Sequence, residues 1–104
     1  MDETYDYLEE LEDFFGGTFH QDINSPEQAL EEFIKEASIE CLQYTIKDCE
    51  KFLNSKLTKQ EKESIIQNNA EVYFSALKLN PLQWLNNIVE KLKEGVKTKL
   101  NKKF

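Results

Sequence analysis

Arginine is absent, and all thirteen basic residues are lysine. The chain therefore lacks the bidentate guanidinium forks through which proteins commonly recognise phosphate and guanine. Glycine occurs three times, and the Gly16-Gly17 pair has neither a third glycine nor a preceding strand, which excludes a phosphate-cradling loop. Histidine occurs once and cysteine twice, and His20, Cys41 and Cys49 match no metal-ligand spacing. No apolar run approaches the roughly 20 residues of a membrane span. The opening Met-Asp-Glu-Thr-Tyr-Asp has no basic region followed by an apolar stretch, so no secretory signal is expected and the expected location is the cytoplasm. Basic residues are also missing from the first 32 positions, which carry eleven acids.

That last absence is the main functional signal. Residues 1–54 hold 15 acids and 3 lysines, a charge of −12, whereas residues 55–104 hold 5 acids and 10 lysines, a charge of +5, giving the net −7. A field polarised in this way favours a basic partner at the acidic end. It opposes binding a polyanion, so nucleic acid is not an expected partner. The lysines crowded between Lys91 and Lys103 read as a solvated helix terminus satisfying its own dipole.

The length of 104 residues suits one domain, with a core enriched by seven Phe, four Tyr and one Trp. Tyr5, Leu8, Leu11 and Phe15 recur at helical spacing and predict a first helix from about Glu3 to Phe15. Its opposite face is Asp6, Glu9, Glu10 and Asp13, and Gly16-Gly17 is expected to stop it. Ser25-Pro26-Glu27-Gln28 reads as an N-cap, a first-turn proline and a capping box, opening a second helix that buries Leu30, Phe33, Ile34 and Ala37. Ser38 caps a third helix burying Leu42, Ile46, Cys49 and Leu53. Thr58-Lys59-Gln60-Glu61 opens a fourth through Ile65 and Ile66, ending near Asn68-Asn69. Residues 70–79 fit either an extended segment or helix. Asn80-Pro81-Leu82-Gln83 opens the last helix, with Trp84, Leu85, Ile88, Val89, Leu92 and Val96 on its apolar stripe. The expected fold is an all-α, single-domain bundle of about five helices spanning residues 1–104.

Cys41 and Cys49 lie eight residues apart in one predicted helix, about 12 Å along its axis. A disulfide needs Cα atoms within roughly 7 Å, so the two read as small, buried or half-buried apolar residues without redox work. His20 and Asp22 resemble an oriented base, but no nucleophile accompanies them, and a capping loop accounts for both. No catalytic activity, cofactor or metal is expected.

The run Leu11-Glu12-Asp13-Phe14-Phe15-Gly16-Gly17-Thr18-Phe19-His20-Gln21-Asp22 resembles the signature of a family of bacterial immunity proteins from contact-dependent growth inhibition and related polymorphic toxin systems. Pro26-Glu27 with Ala29-Leu30-Glu31-Glu32-Phe33-Ile34, and Trp84-Leu85-Asn86-Asn87-Ile88, extend the resemblance over roughly Tyr7 to Leu92. One segment departs: Val72-Tyr73-Phe74-Ser75-Ala76-Leu77 lacks the glycine and proline that relatives often carry there.

The resemblance implies an all-α inhibitor that binds the C-terminal toxin domain of an exported effector, often a basic nuclease. It also implies that Phe19 enters the core and that Asp22 bonds backbone groups near the second helix. Recognition is then expected on exposed positions: Asp6, Glu9, Glu10, Asp13, Glu27, Glu31 and Glu32. The expected inhibitor is a monomer that touches neither membrane nor nucleic acid. The competing reading is a small acidic helical adaptor or regulatory subunit that binds another protein through an apolar edge.

Overall fold

Each helix start is written into the chain as a side chain that replaces a missing backbone partner. In the computed structural model, which describes residues 6–19, 25–70 and 79–102, five helices follow one another: α1 (Asp6–Thr18), α2 (Pro26–Glu36), α3 (Ile39–Leu53), α4 (Lys59–Asn69) and α5 (Pro81–Lys102). The described residues contain no strand. The all-α single-domain expectation holds.

The caps fall where the sequence places them. The Gln28 N–H donates to Ser25 Oγ at 3.1 Å, and the Cys41 N–H donates to Ser38 Oγ at 3.1 Å. Thr58 and Glu61 form a reciprocal box, with bonds of 2.9 and 3.1 Å. Asn80 and Gln83 form another, with bonds of 3.3 and 2.8 Å. Ser25 departs from the expectation in one respect. The Gln28 side chain turns forward to Glu32, 3.5 Å away, and leaves the box half made. Each such cap contributes about 1 kcal/mol.

Two helix C-termini are closed from elsewhere in the chain. Lys62 Nζ donates to the Leu53 carbonyl at the end of α3 (2.7 Å), and Lys99 Nζ donates to the Lys35 carbonyl near the end of α2 (3.1 Å). These cations meet carbonyls where a helix is electronegative. The lysines of the last helix therefore do more than satisfy their own terminus. Lys99 serves α2, and Lys93 pairs with Glu50 of α3 at 2.9 Å, a contact that raises the Lys93 pKa through its hydrogen bond and charge.

α1 and α5 each pack against α2, α3 and α4, and α3 against α5 is the most extensive pairing. The core between them holds Leu11, Phe14, Phe15 and Phe19, Leu30, Leu42, Cys49 and Phe52, Ile66 and Ala70, and Trp84, Leu85, Ile88, Val89 and Leu92. Phe19 is fully buried, as the resemblance implies. Rings join α1 to α5 directly: Phe19 meets Trp84 edge-on at 4.8 Å and Phe15 lies 6.1 Å from it. Phe14 reaches α2 through Phe33, centroids 4.9 Å apart. Tyr5 and residues 71–78 lie outside the described residues.

Gly16-Gly17 does not stop the first helix. α1 runs through both to Thr18, and the Phe19 N–H continues the ladder to the Phe15 carbonyl at 2.9 Å. Burial of Phe19 beside Trp84 supplies more than two helical glycines cost, about 1 kcal/mol each relative to alanine. The third glycine has a steric reason. A Cβ on Gly95 of α5 would stand 2.5 Å from Ile34 Cγ2, so α2 and α5 meet where no side chain fits.

Two outcomes follow from the glycines. Nothing lies within 4 Å of a Cβ added at Gly17. Gly17→Ala is therefore expected to stabilise the fold by about 0.5–1 kcal/mol, read as a raised midpoint in urea unfolding. Gly95→Ala is expected to lower that midpoint, because the β-branched Ile34 is stiff and overpacking costs about 1–3 kcal/mol. In an Ile34→Ala background the sign should reverse, leaving the helix-propensity gain of about 1 kcal/mol. Destabilisation that persists in that background would rule out the Ile34 contact as the cause.

Candidate functional surface

An acid on a helix is available to a partner only if its own fold leaves it uncompensated. Glu9, Glu10 and Asp13 on α1 and Glu27, Glu31 and Glu32 on α2 are all exposed. Among the described residues the one ion pair is Lys93–Glu50, so none of these six meets a lysine there. Asp6 starts α1, but its side chain lies outside the described residues, as do His20, Gln21 and Asp22.

The α1 acids divide between two rows. Glu9 and Asp13 are four residues apart and point away from the core stripe of Leu8, Leu11 and Phe15. Glu10 shares its row with Phe14 and turns toward α3. There Glu10, Leu11 and Phe14 of α1 face Cys41, Tyr44, Thr45 and Asp48 of α3 across an open cleft of about 370 Å³. Its floor is apolar, since Leu11 and Phe14 belong to the core. The Thr45 hydroxyl is turned back to the Cys41 carbonyl at 2.9 Å. Tyr44 is 68% exposed, the more exposed of the two large apolar residues left uncovered among those described.

Asp48 closes one end of this cleft beside Glu10. Partial burial is the main force pushing its pKa from 3.8 up to about 6, and the hydrogen bond and charge of the Glu10 carboxylate add to it. Lys51 and Lys47 pull weakly the other way. Two carboxyl groups from different helices thus stand side by side, and neither forms an ion pair with a lysine among the described residues.

The cysteines stay unpaired, as their spacing requires, but Cys41 is exposed and not buried or half-buried as expected. Both are free; Cys41 is exposed on the cleft wall and Cys49 is fully buried. Burial, then the charges of Asp48 and Glu50, push the Cys49 thiol up to about 12. No group of three or more His, Cys, Asp or Glu that could hold a metal occurs among the described residues. No described helix is long and apolar enough to cross a membrane.

Asp48 has a measurable consequence. Between pH 3.8 and about 6 its carboxyl keeps a proton in the folded protein that the unfolded chain has already lost. Its stabilising contribution is therefore complete below pH 3.8 and is lost as pH rises through about 6. Asp48→Asn removes the charge and keeps a hydrogen-bond donor for Glu10. The variant should melt above the wild type at about pH 7.5, and the gap should close toward about pH 4.5. A gap independent of pH would show that the titration of Asp48 is not its source.

The sequence profile of the CdiI immunity protein family matches the chain over residues 7–92, from the first turn of α1 into α5. No curated protein and no solved structure matches it.

Proposed function

The chain belongs to the CdiI immunity protein family, and from that membership we propose that it binds and neutralises the C-terminal toxin domain of a contact-dependent growth inhibition effector, a basic nuclease. The observation carrying this reading is the family match across nearly all the described helices. The charge distribution supports it. Six exposed acids on α1 and α2 meet no lysine among the described residues, so docking a basic surface relieves their mutual repulsion and speeds encounter.

In this reading residues 1–104 act as one immunity domain, a cytoplasmic monomer that takes one toxin domain. Asp6, Glu9, Glu10, Asp13, Glu27, Glu31 and Glu32 form the surface offered to it. The chain performs no catalysis and needs no cofactor. Inhibition comes from occupying a toxin surface built to accept phosphate, where carboxylates take the positions of the polyanion.

The toxin domain encoded beside this gene tests the proposal. Co-expression should restore growth, and the two proteins should co-purify as an equimolar complex. Reversing Glu9, Asp13 and Glu31 to Lys should leave the fold intact, because all three are exposed. The same reversal should slow association about tenfold or more at low salt and flatten the salt dependence, since the screening length is only about 8 Å at physiological ionic strength. Failure to bind the neighbouring toxin would promote the adaptor reading. Equal, salt-independent rates for both proteins would reduce the acids to a solubilising surface.

A further inference from the structure

The cleft between α1 and α3 combines three features that one kind of guest would satisfy together. Its floor, Leu11 and Phe14, is apolar. Its end carries two carboxyl groups, Glu10 and Asp48, from separate helices, with no ion pair to a lysine among the described residues. Its rim is Tyr44, 68% exposed and uncovered by the chain's own packing.

An apolar guest would leave the carboxyl groups uncompensated, and an anion would be repelled by them. A hydrated metal ion would gain nothing from the floor or the tyrosine. A lysine or arginine side chain uses all of it. Its aliphatic stem covers the floor, its cationic head stands between the carboxylates, and a tyrosine beside it offers a π face. Exposed tyrosine is also a side chain that interfaces use as an anchor, because it gives large contact area.

We propose that this cleft is the socket of the interface, receiving one lysine or arginine side chain from the toxin domain between Glu10 and Asp48, against Tyr44. This rests on the toxin-binding reading and adds the place where binding is anchored. Glu9, Asp13 and the α2 acids then steer the encounter from outside, whereas Glu10 and Asp48 hold the docked partner. In the free protein the two carboxyl groups repel each other across the cleft. A bound cation attracts both and offsets that repulsion. A residue that weakens the free fold and strengthens the complex is the pattern expected where a surface is shaped for a partner.

Cys41 is a built-in reporter of occupancy. It is exposed on the cleft wall, whereas Cys49, buried and with its thiol pushed up to about 12, does not compete for a thiol reagent. In the complex with the neighbouring toxin domain, modification of Cys41 by a maleimide should slow at least tenfold, with Cys41→Ser as the blank. Asp48→Asn and Tyr44→Ala should each weaken toxin affinity about tenfold or more, chiefly through faster dissociation. Asp48→Asn should do so while melting no lower than the wild type at neutral pH, which separates lost binding from lost folding. A wild-type complex in which Cys41 reacts at its free rate, or in which both variants bind like the wild type, would overturn the socket and leave the immunity function standing. A wild type that binds no toxin would remove both.

Discussion

The contacts of Phe15 and Phe19 with Trp84 join the first described helix to the last, and the other three helices are arranged around that junction. α1 and α5 both touch α2, α3 and α4, so fixing one against the other fixes what lies between. Edge-on aromatic pairs add about 0.5–1.5 kcal/mol beyond their buried area. The larger effect is geometric. With Phe19 held at 4.8 Å from Trp84, α1 continues past two glycines, and its outer acids keep a defined direction. Phe14, at the centre of the same ring cluster, also floors the cleft against α3. The cleft and the core therefore share the Phe14 side chain.

The charge polarity of the sequence becomes a division of labour in three dimensions. Lys62 and Lys99 donate to carbonyls that end α3 and α2, and Lys93 holds Glu50. These lysines close the scaffold, while among the described residues the acids of α1 and α2 form no ion pair with a lysine. A chain selected only for solubility gains by interleaving the two signs along each helix. Here three lysines of the positive half bond within the fold, whereas the described acids of α1 and α2 form no ion pair with a lysine among the described residues.

Local chemistry was legible in the sequence. Ser25, Ser38, Thr58 and Asn80 accept the bonds their spacing predicts, because a cap is settled within four residues. The apolar stripes of α2, α3 and α5 likewise follow their period. What escaped the sequence depends on another helix. Gly16-Gly17 looks like a stop until Phe19 finds Trp84. Phe14 and Phe52 are buried at positions the predicted stripes omit, and Phe14 reaches Phe33 of α2. Of the candidate surface, the exposure of Glu9, Asp13, Glu27 and Glu31 follows from periodicity alone. The meeting of Glu10 with Asp48 does not, since only the packing of α1 on α3 brings those positions together.

The bond from Lys99 to the Lys35 carbonyl spans 64 positions of chain. A ribosome adding roughly 5–20 residues per second needs ~3–13 s to cover that separation. During that interval α2 has been made, with Glu27, Glu31 and Glu32 on it, but the residue that closes its end has not. Gly95, the point where α5 fits against Ile34, is also among the late residues. The acidic helix is thus synthesised early and secured late, so a nascent chain carries the negative charge well before it holds the shape. An unfinished or clipped chain would present the charge of α2 without the α5 contacts at Lys35 and Ile34.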